Sequence, residues 1–293
     1  LNTTPAIRSR LAPTPSGFLH TGNIFNFVLT RLETDKLNGT LLLRIDDADS
    51  TRVRDIYIED IFNVLSWLEM KYDDGPTEIQ SFKQEHSQYL RKNNYDHLLQ
   101  TLAETGLLFA CKCSRSALAT DENHTHCKHQ RIDECGEGYA WRLNTERAGI
   151  VDLNDYRMGL QRVDVHKATP YPVVRKKDGF AAYTICSLSD DVSYAINLIV
   201  RGHDLLSQTA LQLHVAAVCG LSSFVDTRFF HHGLLSDAKG NKLSKSAGAQ
   251  GTSIINTFTR AEIYSLISAE LGVEEAATYD ELKAHYMKTA GPV

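Results

Sequence analysis

The sequence predicts an α/β chain: a doubly wound parallel sheet interrupted by a smaller α+β insertion that carries a Cys/His cluster. Three observations predict it. Short continuous apolar runs alternate with segments whose apolar residues recur at helical spacing, as βαβ units require. A Pro/Gly-rich turn, Ala12 to Asn23, follows the first such run, where sheets of this kind receive a ligand. From about Leu107 the texture changes: Cys and His cluster, and the stretch 120–138 is polar and irregular.

Ile7 to Ala12 ends at Pro13 and reads as the first strand. Gly22 to Leu37 has apolar residues at 24, 25, 28, 29 and 32, a helical spacing. Gly39-Thr40 then turns into Leu41-Leu42-Leu43-Arg44-Ile45, a run suited to a buried parallel strand. Asp55 to Trp67 and Ser87 to Thr105 carry further helical patterns. Within the insertion, Tyr139 to Leu143 and Gly159 to Val163 read as strands, and Val173 to Tyr183 as a hairpin turning at Asp178-Gly179. Ile196 to Gly202 is again a buried-type strand, and a helix is expected over 207–219. Phe229 to Leu235 leads into a lysine-bearing loop, Ser253 to Val273 is mostly helical, and a small helix closes the chain. The expected division is a Rossmann-type first half over 1–106, the connective insertion over 107–182, the second half with the lysine loop over 183–250, and a helical extension over 251–293.

With 293 residues, 42% hydrophobic and 23% charged, the chain can build a sizeable core, and nothing in it suggests disorder. No apolar run approaches the ~20 residues of a membrane span. The first residues are polar, with Arg8 and Arg10 and no apolar core, so no secretory leader is expected and the simplest location is cytoplasmic. The net charge of −5 does not announce a nucleic-acid binder. Contact with RNA would fall to local patches: Arg52/Arg54, Arg91/Lys92, Lys128 to Arg131 and Arg175-Lys176-Lys177, each by itself ordinary surface charge. The clustering among the cysteines at 111, 113, 127, 135, 186 and 219 favours metal over disulfides in such a chain.

Two distant stretches make sense together. Ala12-Pro13-Thr14-Pro15-Ser16-Gly17-Phe18-Leu19-His20-Thr21-Gly22-Asn23 is a rigid turn that opens a helix, and Lys242-Leu243-Ser244-Lys245-Ser246 places two lysines in a polar loop. A phosphate-handling site needs N–H groups at a helix start and cationic side chains brought in from elsewhere. The pair resembles the HIGH-type motif (His20-Thr21-Gly22-Asn23) and the KMSKS-type motif (Lys242 to Ser246) of class I aminoacyl-tRNA synthetases.

Between them lie candidate amino-acid contacts. Leu43-Arg44-Ile45-Asp46-Asp47-Ala48-Asp49-Ser50-Thr51-Arg52 puts carboxylates just after a strand, where they suit an ammonium group. Arg10 and Arg201 each offer a guanidinium that can grip a carboxylate bidentately, and Tyr183 offers a hydroxyl. Arg10, Arg201, Tyr183 and Asp46 together match an amino acid with two carboxylates and one ammonium. The acidic stretch resembles the LRIEDTDxxR sequence of glutamyl- and glutaminyl-tRNA synthetases, with Asp46 standing where that family has Glu. Val200-Arg201-Gly202-His203-Asp204-Leu205, with Asp178 to Tyr183 before it, looks most like the branch that transfers glutamate to queuosine of tRNA(Asp).

The resemblance runs from Arg8 to about Gln250. It implies glutamate contacts at Arg10, Ala12, Thr14, Asp46, Tyr183 and Arg201. It implies ATP contacts at Pro13, His20, Gly22, Asn23 and Lys245, with His20, Lys242 and Lys245 in catalysis and Mg²⁺ accompanying the nucleotide. Thr14 stands where the family has Ser, and Ser187 where longer glutamyl enzymes carry Asn. Cys111-Lys112-Cys113 with Cys127-Lys128-His129 has donors for tetrahedral structural zinc. Related synthetases carry zinc here on three Cys and a His or Tyr. Asn123 occupies the queuosine branch's Tyr position, His129 matches the alternative, and His124, His126 and Cys135 stand close enough in sequence to compete.

The expected activity is ATP-dependent formation of glutamyl-adenylate followed by transfer to RNA, by a monomer without membrane contact. Only a short tail follows Ser246, so the large anticodon-binding region of a glutamyl-tRNA synthetase is not expected, and tRNA(Asp) is the favoured acceptor. Charging of a tRNA 3′ end is the alternative. A catalytically idle binding paralogue fits less well beside intact His20 and Lys245, and a non-tRNA adenylyl ligase fits less well beside the Arg201 region and the Cys/His insertion.

Overall fold

The computed structural model describes residues 5–113, 117, 127–233 and 251–289. The chain forms two compact units: Leu1–Ser87, Leu198–His203 and His232–Val293 make the first, and Gln88–Asn197 and Asp204–His231 the second. This grouping cuts across the four-part division expected from the sequence.

In the first unit, β1 (Arg8–Leu11) and β2 (Thr40–Leu43) pair in parallel, in register from Arg8↔Thr40 to Leu11↔Leu43. Parallel strands need a crossover, and α1 (Thr21–Lys36) supplies it. Leu11 and Leu41 to Leu43 are buried, which is why this part of the sequence is continuously apolar. From α1, Ile24, Phe25, Phe27, Val28, Leu29 and Leu32 enter the core. At the return to β2, Gly39 lies so close to Ile7 that a Cβ would sit 2.8 Å from its carbonyl oxygen. β8 (Leu198–Gly202) is tied to β1 by Ser9 Oγ, which donates to Leu198 O at 2.9 Å. The helix α2 (Asp55–Trp67) follows β2. Two later helices complete the unit. One, Arg260–Leu271, begins with a Thr259/Glu262 capping box and bonds Leu68 O through the Tyr264 hydroxyl. The other, Tyr279–Thr289, meets α1 through Tyr286 to Glu33 and Lys283 to Asp35.

The second unit holds a β3-β4-β7 sheet of Leu108–Cys111, Ala140–Leu143 and Val173–Arg175, with both pairings antiparallel. β5 (Ile150–Asp155) and β6 (Gly159–Asp164) form an antiparallel hairpin, and Asp155 of β5 pairs in parallel with Phe229 of β9 (Arg228–His232). The helices here are α3 (Lys92–Glu104), α4 (Tyr183–Ser193) and α5 (Leu206–Val218). The α/β class expected from the sequence is the one that forms. The hairpin expected over Val173 to Tyr183 is shorter. It turns over Lys176–Gly179, with Gly179 at φ +88°. It keeps one bridge, Arg175↔Ala181, and gives way to α4 at Tyr183. Leu108–Cys111 and Ile150–Asp155 are strands that the sequence pattern did not single out. None of the described helices is long and apolar enough to cross a membrane.

Candidate active site

The β1–β2 ladder continues past the ends of both strands. Arg44 N donates to Leu11 O and Asp46 N to Pro13 O, each at 2.9 Å. The Ala12–Thr14 segment is thereby laid along Arg44–Asp46, with Pro13 buried, Ala12 half-buried and Thr14 exposed. Arg10, the penultimate residue of β1, and Arg201, the penultimate residue of β8, are only 6% and 4% exposed. Each guanidinium carries five donors in a fixed fork. Both buried guanidinium groups thus stand near strand ends of the first unit.

Asp46 is almost wholly buried, and Arg44 grips it with a fork of its own: Nε to Oδ1 at 2.7 Å and Nη2 to Oδ2 at 3.1 Å. A carboxylate accepts at about four lone-pair positions, and Arg44 takes two of them. Asp47 accepts from the Ser87 hydroxyl at 2.6 Å. Asp49 is half-buried and pairs with exposed Arg52 at 2.9 Å.

At the start of α1 the HIGH-type residues cap the helix. His20 is the N-cap; its Nδ1 accepts from Gly22 N at 3.1 Å, and Asn23 Oδ1 accepts from His20 N at 3.1 Å. An Nδ1 that accepts leaves the imidazole proton on Nε2, so the ring presents an N–H donor on its other edge. Burial lowers the His20 pKa from its ordinary 6.5, which keeps the ring neutral near pH 7. No acidic residue occupies the first turn of α1, so the positive end of the helix dipole is not offset by its own sequence. A Cβ on Gly22 would lie 3.0 Å from His20 Cε1 and 3.1 Å from Nδ1, so glycine is what lets the ring fold back over the helix start.

The turn before α1 is anchored by α2. Leu19 N donates to Asp60 Oδ2 at 3.0 Å, and Phe18 meets Tyr57 edge-on at 5.1 Å. Sequence reasoning passed over Asp60. The signal for it was an acid within the apolar stripe of Ile58, Ile61, Val64 and Leu65.

Arg10, Ala12, Pro13, Thr14, His20, Gly22, Asn23, Asp46 and Arg201 therefore belong to one compact unit. Tyr183 belongs to the other, where it is the first residue of α4 and 44% exposed. Lys242 and Lys245 lie outside the described residues, as do Asn123, His124 and His126.

In the second unit the sulfur atoms of Cys111, Cys113 and Cys127 all lie within 4.8 Å of one another, and none is in a disulfide. Two thiolates on one tetrahedral zinc, each at about 2.3 Å, stand roughly 3.8 Å apart. Cys113 and Cys127 are 3.8 Å apart. Burial and the crowding of neighbouring sulfurs push the Cys127 thiol up, whereas Cys111 is lowered by bonds from Cys113 and Arg142 despite its burial. Three soft donors converging this closely fit zinc. His129 is exposed and stays outside the group. Lys177 closes the loop from behind, donating to Lys112 O and Cys113 O.

Several basic side chains named as RNA-facing candidates are engaged within the protein. Arg91 pairs with buried Asp190, Lys128 with Glu146, Arg131 with Asp133, and Arg175 stacks over Trp141 at 4.7 Å.

The sequence matches the family model described as tRNA synthetases class I (E and Q), catalytic domain, over residues 6–257. It is 36% identical over 247 residues to the Glutamyl-Q tRNA(Asp) synthetase of Synechococcus sp., covering 83% of this chain and 75% of that protein. It is 29% identical over 254 residues to a Glutamate–tRNA ligase of Legionella pneumophila, covering 83% of this chain and 51% of that one. The crystal structure of glutamate-tRNA synthetase from Elizabethkingia anophelis superposes with a TM-score of 0.78 at 20% identity, over 96% of this chain and 66% of that chain.

Proposed function

Because the chain belongs to the class I tRNA synthetases (E and Q), by its catalytic domain, we propose that this ligase activates L-glutamate with ATP as glutamyl-adenylate and passes it to queuosine in the anticodon of tRNA(Asp). The geometry at the start of α1 carries the activation half: a neutral His20 held by Gly22 N, with its ring proton on Nε2. The acceptor is suggested by the similarity to the Synechococcus enzyme.

In the first step a carboxylate oxygen of glutamate attacks the α-phosphorus of ATP, carried with Mg²⁺, and the bond to the pyrophosphate oxygen breaks. Negative charge builds on the phosphoryl oxygens. His20 Nε2–H and the start of α1, with Gly22 and Asn23, supply fixed donors and a positive potential to that charge. Pro13 shapes the turn beside the nucleotide. Lys242 and Lys245 act as cations on the phosphates. Arg10 and Arg201 hold the glutamate carboxylates, the Ala12–Thr14 backbone and hydroxyl line its path, and Asp46, restrained by Arg44, faces the ammonium. In the second step an RNA hydroxyl attacks the adenylate carbonyl, the ester forms and AMP leaves. Both steps rest on positioning and electrostatic stabilisation, with no covalent enzyme intermediate. Zinc, held by Cys111, Cys113, Cys127 and a fourth donor, would tie the end of β3 to Cys127.

Attachment of labelled glutamate to tRNA(Asp) with and without queuosine, and to tRNA(Glu), tests the proposal. Labelling of queuosine-bearing tRNA(Asp) alone is expected. Labelling of tRNA(Glu) alone would overturn it in favour of 3′-end charging, the activity named for the Legionella relative.

A further inference from the structure

Asn26 lies on α1, six residues after His20, and is half-buried. Its Nδ2 donates to Val200 O at 3.3 Å, one residue before Arg201. The same nitrogen lies 2.9 Å from His232 Nε2. The His232 ring is only 5% exposed, meets Phe25 edge-on at 5.1 Å, and brings its Nδ1 within 2.6 Å of Gly233 O. All of these residues belong to the first unit.

The hydrogen bonding fixes the protons. A carbonyl oxygen only accepts, so the Gly233 contact places the His232 proton on Nδ1. Nε2 then carries a lone pair, and the Asn26 amide donates to it. Asn26 has two N–H bonds, one for Val200 O and one for His232. Flipping the amide would set its oxygen against the Val200 carbonyl, so the Asn26 orientation is fixed as well.

We infer that Asn26 and His232 are positioning residues that hold three segments of the site in one register. These are the helix that starts at His20, the strand end that bears Arg201, and the Gly233 backbone just after β9. Neither side chain is asked to touch substrate. A neutral imidazole with a set tautomer is a rigid spacer between α1 and the Gly233 backbone, and the Asn26 amide extends it to β8. A displacement of His20 against Arg201 on the order of 1 Å would cost about 10²-fold in rate. Phe25 packs against one part of the ring while the polar contacts hold both nitrogens, so shape and hydrogen bonding can be separated by mutation. The inference rests on reading this unit as an adenylate-forming site.

The test pairs His232→Phe, which keeps the ring shape and loses both nitrogens, with His232→Gln, which restores an acceptor near the Nε2 position. Asn26→Leu removes the amide from the other side. The readouts are glutamate-dependent ATP–pyrophosphate exchange, with kcat and KM separated, the thermal midpoint, and the ¹⁵N shifts of the His232 ring in the wild type. Expected are an Nδ1–H tautomer near pH 7, a fall in kcat of about 10- to 100-fold in His232→Phe and Asn26→Leu with KM changed far less, and substantial recovery in His232→Gln. A folded His232→Phe whose kcat stays within about twofold of wild type, or an Nε2–H tautomer, would overturn the inference. A wild type without exchange would instead overturn the reading on which it rests, while the tautomer result would still judge the geometry.

Discussion

Replacing Gly22 by alanine tests the start of α1 at atomic scale. The new Cβ would meet His20 Cε1 at 3.0 Å and Nδ1 at 3.1 Å, so the ring must yield by a few tenths of an ångström. That movement weakens the 3.1 Å bond from Gly22 N to Nδ1, which caps the helix and selects the Nε2–H tautomer. Loss of a cap costs about 1 kcal/mol, and alanine regains up to about 1 kcal/mol over glycine in a helix. The two nearly cancel, and the thermal midpoint is expected to move by only a few degrees. The chemistry has no such offset, because removing or misaiming one donor to developing oxyanion charge costs about 10²–10³-fold. A partial shift of the ring is therefore expected to lower kcat for glutamate-dependent pyrophosphate exchange by about 10- to 100-fold, with KM for ATP changed far less. Wild-type kcat in a stably folded Gly22→Ala would rule out this role for the His20 ring position, as would a loss of several kcal/mol of stability that accounts for all of the lost activity.

Other outcomes follow from the same geometry. Protonation of His20 at Nδ1 would remove the acceptor for Gly22 N. Because burial lowers its pKa below 6.5, the neutral ring and its contribution to stability are complete above pH 6.5 and are lost as pH falls through the depressed value. The acid limb of kcat/KM due to His20 is thus expected below pH 6.5 and absent in His20→Asn, and a limb above 6.5 that vanishes in that variant would contradict the assignment. Arg44→Met strips buried Asp46 of its bidentate partner and is expected to cost about 3–5 kcal/mol in urea unfolding, a loss below about 1 kcal/mol marking the pair as unimportant to the fold. Protein purified without chelator or tag-borne metal is expected to carry about one zinc per chain, and Cys113→Ser to release it, whereas wild-type zinc well below one per chain would exclude the site.

How much could be read from the sequence varied with how local the physics was. α2 forms over Asp55–Trp67 as the pattern predicts, because Ile58, Ile61, Val64 and Leu65 mark its buried face without interruption. α4 escaped notice because it buries Thr184, Ser187, Ser189, Asp190 and Asp191, so polarity hides its inner face. What makes the burial of Asp190 tolerable is far away in sequence: Gln88, Arg91 and Tyr95 all bond it. β3 runs into the first cysteine of the cluster, and β5 is half exposed, so neither shows a clean apolar pattern. In the site, motif residues such as His20, Gly22 and Arg201 were legible because their chemistry is local to a helix start or a strand end. Asp60, Asn26 and His232 were not, since each acquires its role only from a partner that folding brings to it.

Formation of glutamyl-adenylate by this chain is read out by pyrophosphate exchange of the wild type, run with and without tRNA and with glutamate, glutamine or aspartate as the amino acid. Exchange is expected to require glutamate and to be far weaker with glutamine, which lacks the second carboxylate for the Arg10 and Arg201 forks. No glutamate-dependent exchange under any of these conditions, or a preference for glutamine, would contradict this expectation.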